Sequence, residues 1–331
     1  MLKVTEITSL PVVIVNYHGY ERLKECLEAL STQTHPFTEI VIVDNGSSES
    51  ERAELETLIQ SERIRVIFSP ENLGFAKANN LAFPLLKSYT HVALLNPDAI
   101  PAPDWLEQMA CAIQKFPDTS AFGSFMAQYH HPDLIDGLGD CYHVSGLAWR
   151  KGHGKKHTNK KLESRLVFSV CAAAACYKTS VLNELNGFDE DLFCYHEDVD
   201  LGFRIQLLGG SCRFIPEAKV RHVGLESSRG KNDFSFYHGH RNLEWVYLKN
   251  MPLFLLILFL PLHLMMILVM LGVSCYRGQV GSFLKAKVDS FVKLPHFFRK
   301  RRSVISVHGV MGIRLLSKFS YLPNFRHLKR L

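Results

Sequence analysis

Cysteine pairs at metal-binding spacing are missing from this chain. Its eight cysteines stand singly, without one CxxC, so zinc and thioredoxin chemistry lack support and reduced thiols of a cytosolic compartment are expected. GxGxxG and the Walker P-loop are also absent, which removes the fingerprints of nicotinamide and P-loop nucleotide enzymes. There is no internal repeat and no low-complexity segment. The first ten residues carry Lys3 and Glu6 and no apolar core, so a signal peptide is not expected. Acids nearly vanish at the far end: Arg277–Leu331 holds 13 Lys and Arg against one acid, Asp289. A mildly acidic body followed by a strongly basic tail calls for an anionic surface partner. Charge of either sign is missing from Met251–Cys275, a run of 25 residues. That is long enough to cross a bilayer as a tilted helix and too apolar all round for an ordinary core helix.

What is present begins as alternating strand and helix signals. The 331 residues allow roughly two domains. Leu10–Tyr17, Thr38–Ser48, Ile64–Pro70 and His91–Asn96 are short β-branched runs that read as buried strands. Between them Gly19–Gln33, Ser50–Gln60 and Gly74–Lys87 read as helices. This spacing predicts an α/β fold with a mostly parallel central sheet. Phe122–Lys161 changes character, rich in Gly, His and aromatics, and Arg150–Lys161 reads as a mobile basic loop. A strand through Ala172–Cys176, helices at Ser180–Leu185 and Glu197–Leu208, and a closing strand Cys212–His222 complete the body.

Several strand ends carry acids or amides. Asp44 closes "VIVDNGSS"; it can cap a turn or accept hydrogen bonds from a nucleobase or ribose. In "SPENLGFAKANN", Gly74 permits close backbone approach, with Lys77 and Asn79 beyond it. The same stretch also reads as a helix start capped by Asn72, and such starts bind phosphates. "LLNPD" ends a strand on Asn96 and Asp98. It is a turn by composition, yet Asp98 is also the oxygen ligand that Mg²⁺ or Mn²⁺ would take beside a substrate diphosphate. "YHEDVDL" places Glu197, Asp198 and Asp200 at a helix start, where they suit the helix dipole or supply a general base. His222 follows a strand end and could be structural or the missing metal ligand.

Taken in order, "VVIVNY", "VIVDNGSS", "NLGFAKANN", "LLNPD" and "GFDEDLFCYHEDVDLGFR", with the later His and Ser-Ser, resemble family 2 glycosyltransferases of the bacterial rhamnosyltransferase-like branch. The resemblance covers about Leu10–Met251. It implies the GT-A nucleotide-sugar-binding fold and an inverting, hexosyl-transferring enzyme. The donor would be dTDP-rhamnose or a UDP-hexose. The acceptor would be a polyprenyl-diphosphate-linked glycan of envelope polysaccharide synthesis, met at the cytoplasmic face of the bacterial inner membrane. Asn16, Tyr17 and Asp44 match the nucleotide pocket, and Asn72, Gly74, Lys77 and Asn79 the segment along the nucleotide-sugar. Asn96 and Asp98 occupy the DxD position, with Asp98 and His222 as ligands of a divalent cation, Mg²⁺ or Mn²⁺. Asp198 matches the base of the "ED" motif. Glu197 and Asp200 fall beside it, at the acceptor or behind the base. Asn96 departs from a strict DxD and leaves one carboxylate there.

Three other readings compete. A processive family 2 synthase would carry several spans and a QxxRW-like motif; this chain has "HRNLEW" and one apolar run. A non-catalytic nucleotide-sugar-binding protein would lack Asp98, Asp198 or His222. A nucleic-acid partner fits the tail's charge but not its place behind an apolar segment. The expected organisation is a catalytic domain over 1–250 and a membrane-associating region over 251–331. One straight crossing cannot hold both the body and the basic tail on the cytoplasmic side. A hairpin bent near Pro261, or an in-plane or re-entrant segment followed by basic amphipathic helices, can.

Overall fold

The computed structural model describes residues 9–59, 61–157, 161–224, 233–306 and 312–322. The β-branched runs form β1 (Val12–Asn16), β2 (Ile40–Asn45), β3 (Ile64–Ser69) and β4 (His91–Leu95), in the order β4-β1-β2-β3 and all parallel. Side chains of a strand alternate between faces. Val12, Ile14, Ile40, Ile42, Ala93 and Leu95 therefore enter one core, and Val13, Val41, Val43, Val92 and Leu94 a second. Helices α1 (Tyr20–Ser31) and α2 (Glu49–Leu58) cover the first face, and α3 (Gly74–Ala82) the second. A capping box, Ser48 with Glu51, starts α2. The helix expected to reach Lys87 tightens into a 3-10 turn at Phe83–Leu86, where Pro84 removes a backbone donor.

Beyond β4 the expectation of a mostly parallel sheet is corrected. The chain continues through β5 (Ala99–Pro101), α4 (Trp105–Lys115), β6 (Ala121–Gln128), β7 (Ile135–Gly137), β8 (Asp140–Tyr142), β9 (Ala148–Arg150), β10 (Arg165–Val167) and β11 (Ala174–Lys178). Then come α5 (Thr179–Glu184), α6 (Glu197–Leu207) and β12 (Cys212–His222). β11 inserts antiparallel between β4 and β6, whereas β6 and β12 are parallel and β10 is antiparallel to β12. The sheet is mixed because β6 and β11 lack a crossover helix. The chain leaves β6 at one edge, makes short strands and loops there, and re-enters from that edge, which forces an antiparallel neighbour. β12 shifts register between Ile215 and Lys219, where Pro216 lies, as a bulge accommodates a residue that cannot donate.

This topology decides where a site can form. The carboxyl ends of β1, β2, β4, β6 and β12 and the start of β11 share one edge. β1 has β2 on one side and β4 on the other, the reversal at which open α/β sheets bind ligands.

The C-terminal part is helical: α7 (Asp233–Asn250), α8 (Leu253–Tyr276), α9 (Val280–Val292), α10 (Leu294–Ser306) and α11 (Gly312–Leu316). α8 runs unbroken through Pro261 and does not turn back there as a hairpin. A third core joins both sides of residue 250, with Tyr142, Phe168, Phe203 and Trp245 packed among Leu255, Met266, Phe283 and Phe297. Polar pegs fix this packing. His263 lies between the Ser145 carbonyl (2.7 Å) and the Glu244 carboxylate (2.8 Å), stacked on Tyr247. Lys287 also pairs with Glu244. Burial opposes the charge of Glu244, but Lys287 and His263 prevail and hold its pKa down to about 2, below the usual 4.5. A depressed carboxylate stabilises the fold above its unfolded pKa and loses that contribution as pH falls through the folded one. Urea midpoints are therefore expected to fall from about pH 4.5 towards 2, and Glu244→Gln should flatten that acid limb; an unchanged slope in the variant would refute the assignment.

Candidate active site

A cleft of about 600 Å³ opens at the carboxyl edge. Asn96 and Asp98 follow β4, His222 ends β12, and Glu197 and Asp198 begin α6; all line the cleft. The topology explains their meeting. His222 pairs with Ala99 across β12 and β5, so it stands beside Asp98, with Nε2 3.5 Å from Oδ1. Asp98 Oδ2 also accepts from the Gly224 amide at 3.2 Å.

The residues behind His222 were not legible in the sequence. Asp136, on β7, faces His222 Nδ1 at 2.9 Å through Oδ2, and the same oxygen accepts from Arg150 of β9 at 2.7 Å. His153 Nδ1 lies 2.8 Å from the Asp136 carbonyl. Arg150 was expected in a mobile basic loop; instead β9 holds it against the cleft. Burial works against the charge of His222, but hydrogen bonds to Asp136 and Asp98 raise its pKa to about 9. Burial likewise disfavours ionised Asp136, and Arg150, His153 and His222 overcome it, leaving that carboxyl well below the ordinary range. Burial raises Asp98, yet His222 and the Gly224 amide bring it net below the usual value.

Asp198 lines the same cleft. Its Oδ2 accepts from the Ala172 amide at 3.3 Å and its Oδ1 from the Val199 amide at 2.8 Å. Two neighbours feel its charge. Burial first, then Asp198, pushes Glu197 well above the usual carboxylate range, and the same two causes raise Asp140 to about 8. The loop leading to Asp198 is held in a costly backbone conformation: Phe193, Tyr195 and His196 all have positive φ, near +65°. Buried Asn242 of α7 holds it, its amide nitrogen 2.7–2.8 Å from the carbonyls of Leu192, Cys194 and Tyr195. Arg241 donates to Leu192 as well. The "HRNLEW" stretch thus serves the loop that presents Asp198.

Other expected site residues lie elsewhere. Asn16 and Asp44 are neighbours across β1 and β2, with Asn16 Oδ1 and both Asp44 oxygens buried and lacking a hydrogen-bond donor. Arg52 covers Asp44, its Nε 3.3 Å from Oδ2 without hydrogen-bond alignment. Tyr17 is half exposed next to them. Asn72 accepts from the Gly74 amide at 2.9 Å and from Asn45 at 3.0 Å, a local cap. Gly74, at φ +78°, faces the Phe193 loop; a Cβ there would meet the Phe193 carbonyl at 2.6 Å. Its missing side chain therefore admits protein rather than ligand. Lys77 is exposed on α3, and Asn79 is buried, bonded to the Phe75 carbonyl at 2.9 Å. Asp200 is fully buried away from the cleft, paired with Arg204 (2.8 Å) and Lys249 (2.6 Å).

Among the described residues no cluster of three or more His, Cys, Asp and Glu stands in metal-ligand geometry. Asp98 and His222 nevertheless form a pair of donors whose second atoms are tied down, His222 by Asp136 and Asp98 by Gly224. Hard cations that also bind substrate phosphates need only one or two protein ligands, oriented from behind. The donor set fits that use once a bound cation takes the place of the His222 Nε2 proton. Asp136→Asn is expected to raise the donor KM about 10–100-fold, as loss of an outer-sphere partner does; an unchanged KM in steady-state assays would contradict the orienting role.

Comparison with known proteins agrees with this geometry. The family model described as Glycosyl transferase family 2 matches residues 12–185. An N-acetylglucosaminyl-diphospho-decaprenol L-rhamnosyltransferase of Mycobacterium tuberculosis is 26% identical over 263 residues, 73% of this chain and 84% of that protein. The mannosyltransferase PcManGT of Pyrobaculum calidifontis, solved with GDP-Man and Mn²⁺, superposes with a TM-score of 0.54 at 14% identity, over 95% of this chain and 79% of that one. GalNAc-T7, solved with UDP, GalNAc and Mn²⁺, gives a TM-score of 0.55 at 18% identity over 65% of this chain; the match spans 43% of that longer structure. The fold is thus a mixed α/β, GT-A-like fold.

Proposed function

Because this chain belongs to glycosyl transferase family 2 and is a rhamnosyltransferase-like transferase, we propose that it moves one sugar from a nucleotide-sugar donor to a polyprenyl-linked glycan, with inversion. The observation that carries this reading is that Asp198 and the Asp98–His222 pair line one cleft. The donor nucleotide would meet Asn16 and Asp44, whose unpaired oxygens await donors such as base N–H or ribose hydroxyl. Asn96, Asp98 and His222 would face the diphosphate. Asp98 and His222 would hold Mg²⁺ or Mn²⁺, which supplies positive charge against the diphosphate. Asp198 accepts the proton of the acceptor hydroxyl. That oxygen bonds to the anomeric carbon as the bond from carbon to diphosphate oxygen breaks, and the electron pair leaves on the nucleoside diphosphate. The sugar passes through an oxocarbenium-like state, and a single displacement inverts it.

The acceptor class rests on the likeness to the mycobacterial N-acetylglucosaminyl-diphospho-decaprenol L-rhamnosyltransferase. With a nucleotide-sugar donor and a lipid-linked acceptor, the enzyme would work at the cytoplasmic face of the membrane, with residues 1–250 as the catalytic part and 251–331 as the part that meets the membrane. The test is a donor screen read by product mass, using polyprenyl-diphosphate-GlcNAc as acceptor, with and without EDTA. A deoxyhexosyl adduct from dTDP-rhamnose, lost in EDTA and restored by Mn²⁺, is expected. Transfer from UDP-hexoses alone would replace the donor assignment, and full turnover in EDTA would remove the cation.

A further inference from the structure

Accepting the reading as a membrane-bound glycosyltransferase, we infer that α8 lies in the plane of an anionic leaflet as a monotopic anchor and does not cross it. The helix carries a buried stripe from its first turn to its last: Leu255, His263, Met266, Met270 and Ser274. A spanning helix has lipid around it. This one is fastened along its whole length, of roughly 36 Å, to the rest of the protein. Its midpoint, His263, is pegged to Glu244 and to the Ser145 carbonyl. If α8 crossed a bilayer, α7 would have to enter the hydrocarbon beside it. α7 carries Arg241, Glu244 and Lys249, and charges at that depth are costly.

The remaining face of α8 carries no charge and is apolar up to Cys275 and Tyr276 at its end. Phe254 is 68% exposed and Leu268 67%, with Ile257, Leu258, Leu264, Met265 and Val269 also open. The polar side chains within the helix body, His263 and Ser274, both lie on the buried stripe. α9, packed on α7 and α8, adds a second apolar row at helical spacing, Leu284, Val288, Phe291 and Val292. Exposed Lys285 and Lys293 flank that row, and the chain from Arg277 onward is overwhelmingly basic. An apolar face bordered by cations matches an interfacial helix on anionic lipid. A second copy of the same surface would oppose like charges.

The arrangement also serves the reaction. α7 lines the cleft through Phe236, Gly239, His240 and Leu243 and packs against the anchor helices with Trp245, Val246 and Tyr247. The cleft therefore lies about one helix diameter, roughly 10 Å, from the leaflet that holds a lipid-linked acceptor.

The test uses the full chain on vesicles of phosphatidylcholine and phosphatidylglycerol carrying nitroxide labels at shallow or deep acyl positions. Phe254→Trp, Leu264→Trp and Tyr276→Trp report the start, middle and end of α8 as fluorescence gained over the parent. Equal quenching at all three, stronger from the shallow label, is expected. Deep quenching at 264 with shallow quenching at 254 and 276 would overturn the inference in favour of a crossing. Absence of quenching with a doubled particle mass would overturn it in favour of self-association. Lys285→Glu with Lys293→Glu should weaken vesicle binding about tenfold or more at low salt, and unchanged binding would count against the anionic leaflet. Transfer to a short acceptor in detergent is measured on the same preparation. Its absence beside the expected quenching would strike the enzymatic reading and leave the geometry standing.

Discussion

Asp198→Asn is expected to lower kcat about 10²–10⁴-fold, the usual contribution of a positioned general base, while the donor binds as before. The amide fits the same space, and its oxygen can keep the shorter bond, from the Val199 amide at 2.8 Å, while the longer one, from the Ala172 amide at 3.3 Å, is lost. What disappears is the capacity to take a proton from the acceptor hydroxyl. On the proposed reading, donor affinity, measured by titration calorimetry, rests on Asp98, His222 and the groups at β1 and β2, none of which is hydrogen-bonded to Asp198. A variant with wild-type turnover would reject the assignment of the base. A variant that also loses donor binding would show that Asp198 belongs to the donor site.

Two residues further on, Asp200→Asn is expected to act on the fold. Asp200 is fully buried and receives Arg204, Lys249 and Asn250, at 2.8, 2.6 and 2.7 Å. Burial raises its pKa, but Lys249 and Arg204 reverse the shift, and it stays below the usual value. Neutralising it leaves two buried cations facing an amide. Breaking such a group by removing one partner costs roughly 3–5 kcal/mol, a large share of a domain's stability. Lys249 also pairs with Asp189, which Lys300 of α10 shares, so the loss should loosen the C-terminal helices too. Denaturant midpoints check it. A stable Asp200→Asn protein with a raised acceptor KM would return this residue to the cleft.

The contrast between these acids shows how far the sequence reached. Glu197, Asp198 and Asp200 read as one acidic cluster. On a helix, residues two apart point to nearly opposite sides, so the cluster had to divide. Which half lined the cleft depended on Lys249 and Asn250, fifty residues away on α7, and no local pattern announces that pairing. Asp136 and Arg150 escaped for the same reason. They lie on strands of three residues in a stretch rich in Gly and His, too short for periodicity to register. β6 was missed because "AFGSFMAQ" mixes Gly, Ser and aromatics, although seven of its eight residues are buried.

By itself the sequence determined the first four strands, their helices and the edge on which Asn16, Asp44, Asn96 and Asp98 stand. Unbroken β-branched runs between amphipathic helices leave parallel strands buried on both faces, and polar residues at their carboxyl ends follow from that. It also determined that 25 uncharged residues precede a basic tail. The tertiary structure alone decided the antiparallel entry of β11, the partnership of His222 with Asp98 and Asp136, and the docking of α8 along its full length. Each is a contact between distant segments. Such contacts depend on which buried polar atoms find partners in three dimensions, and a linear pattern does not carry that information.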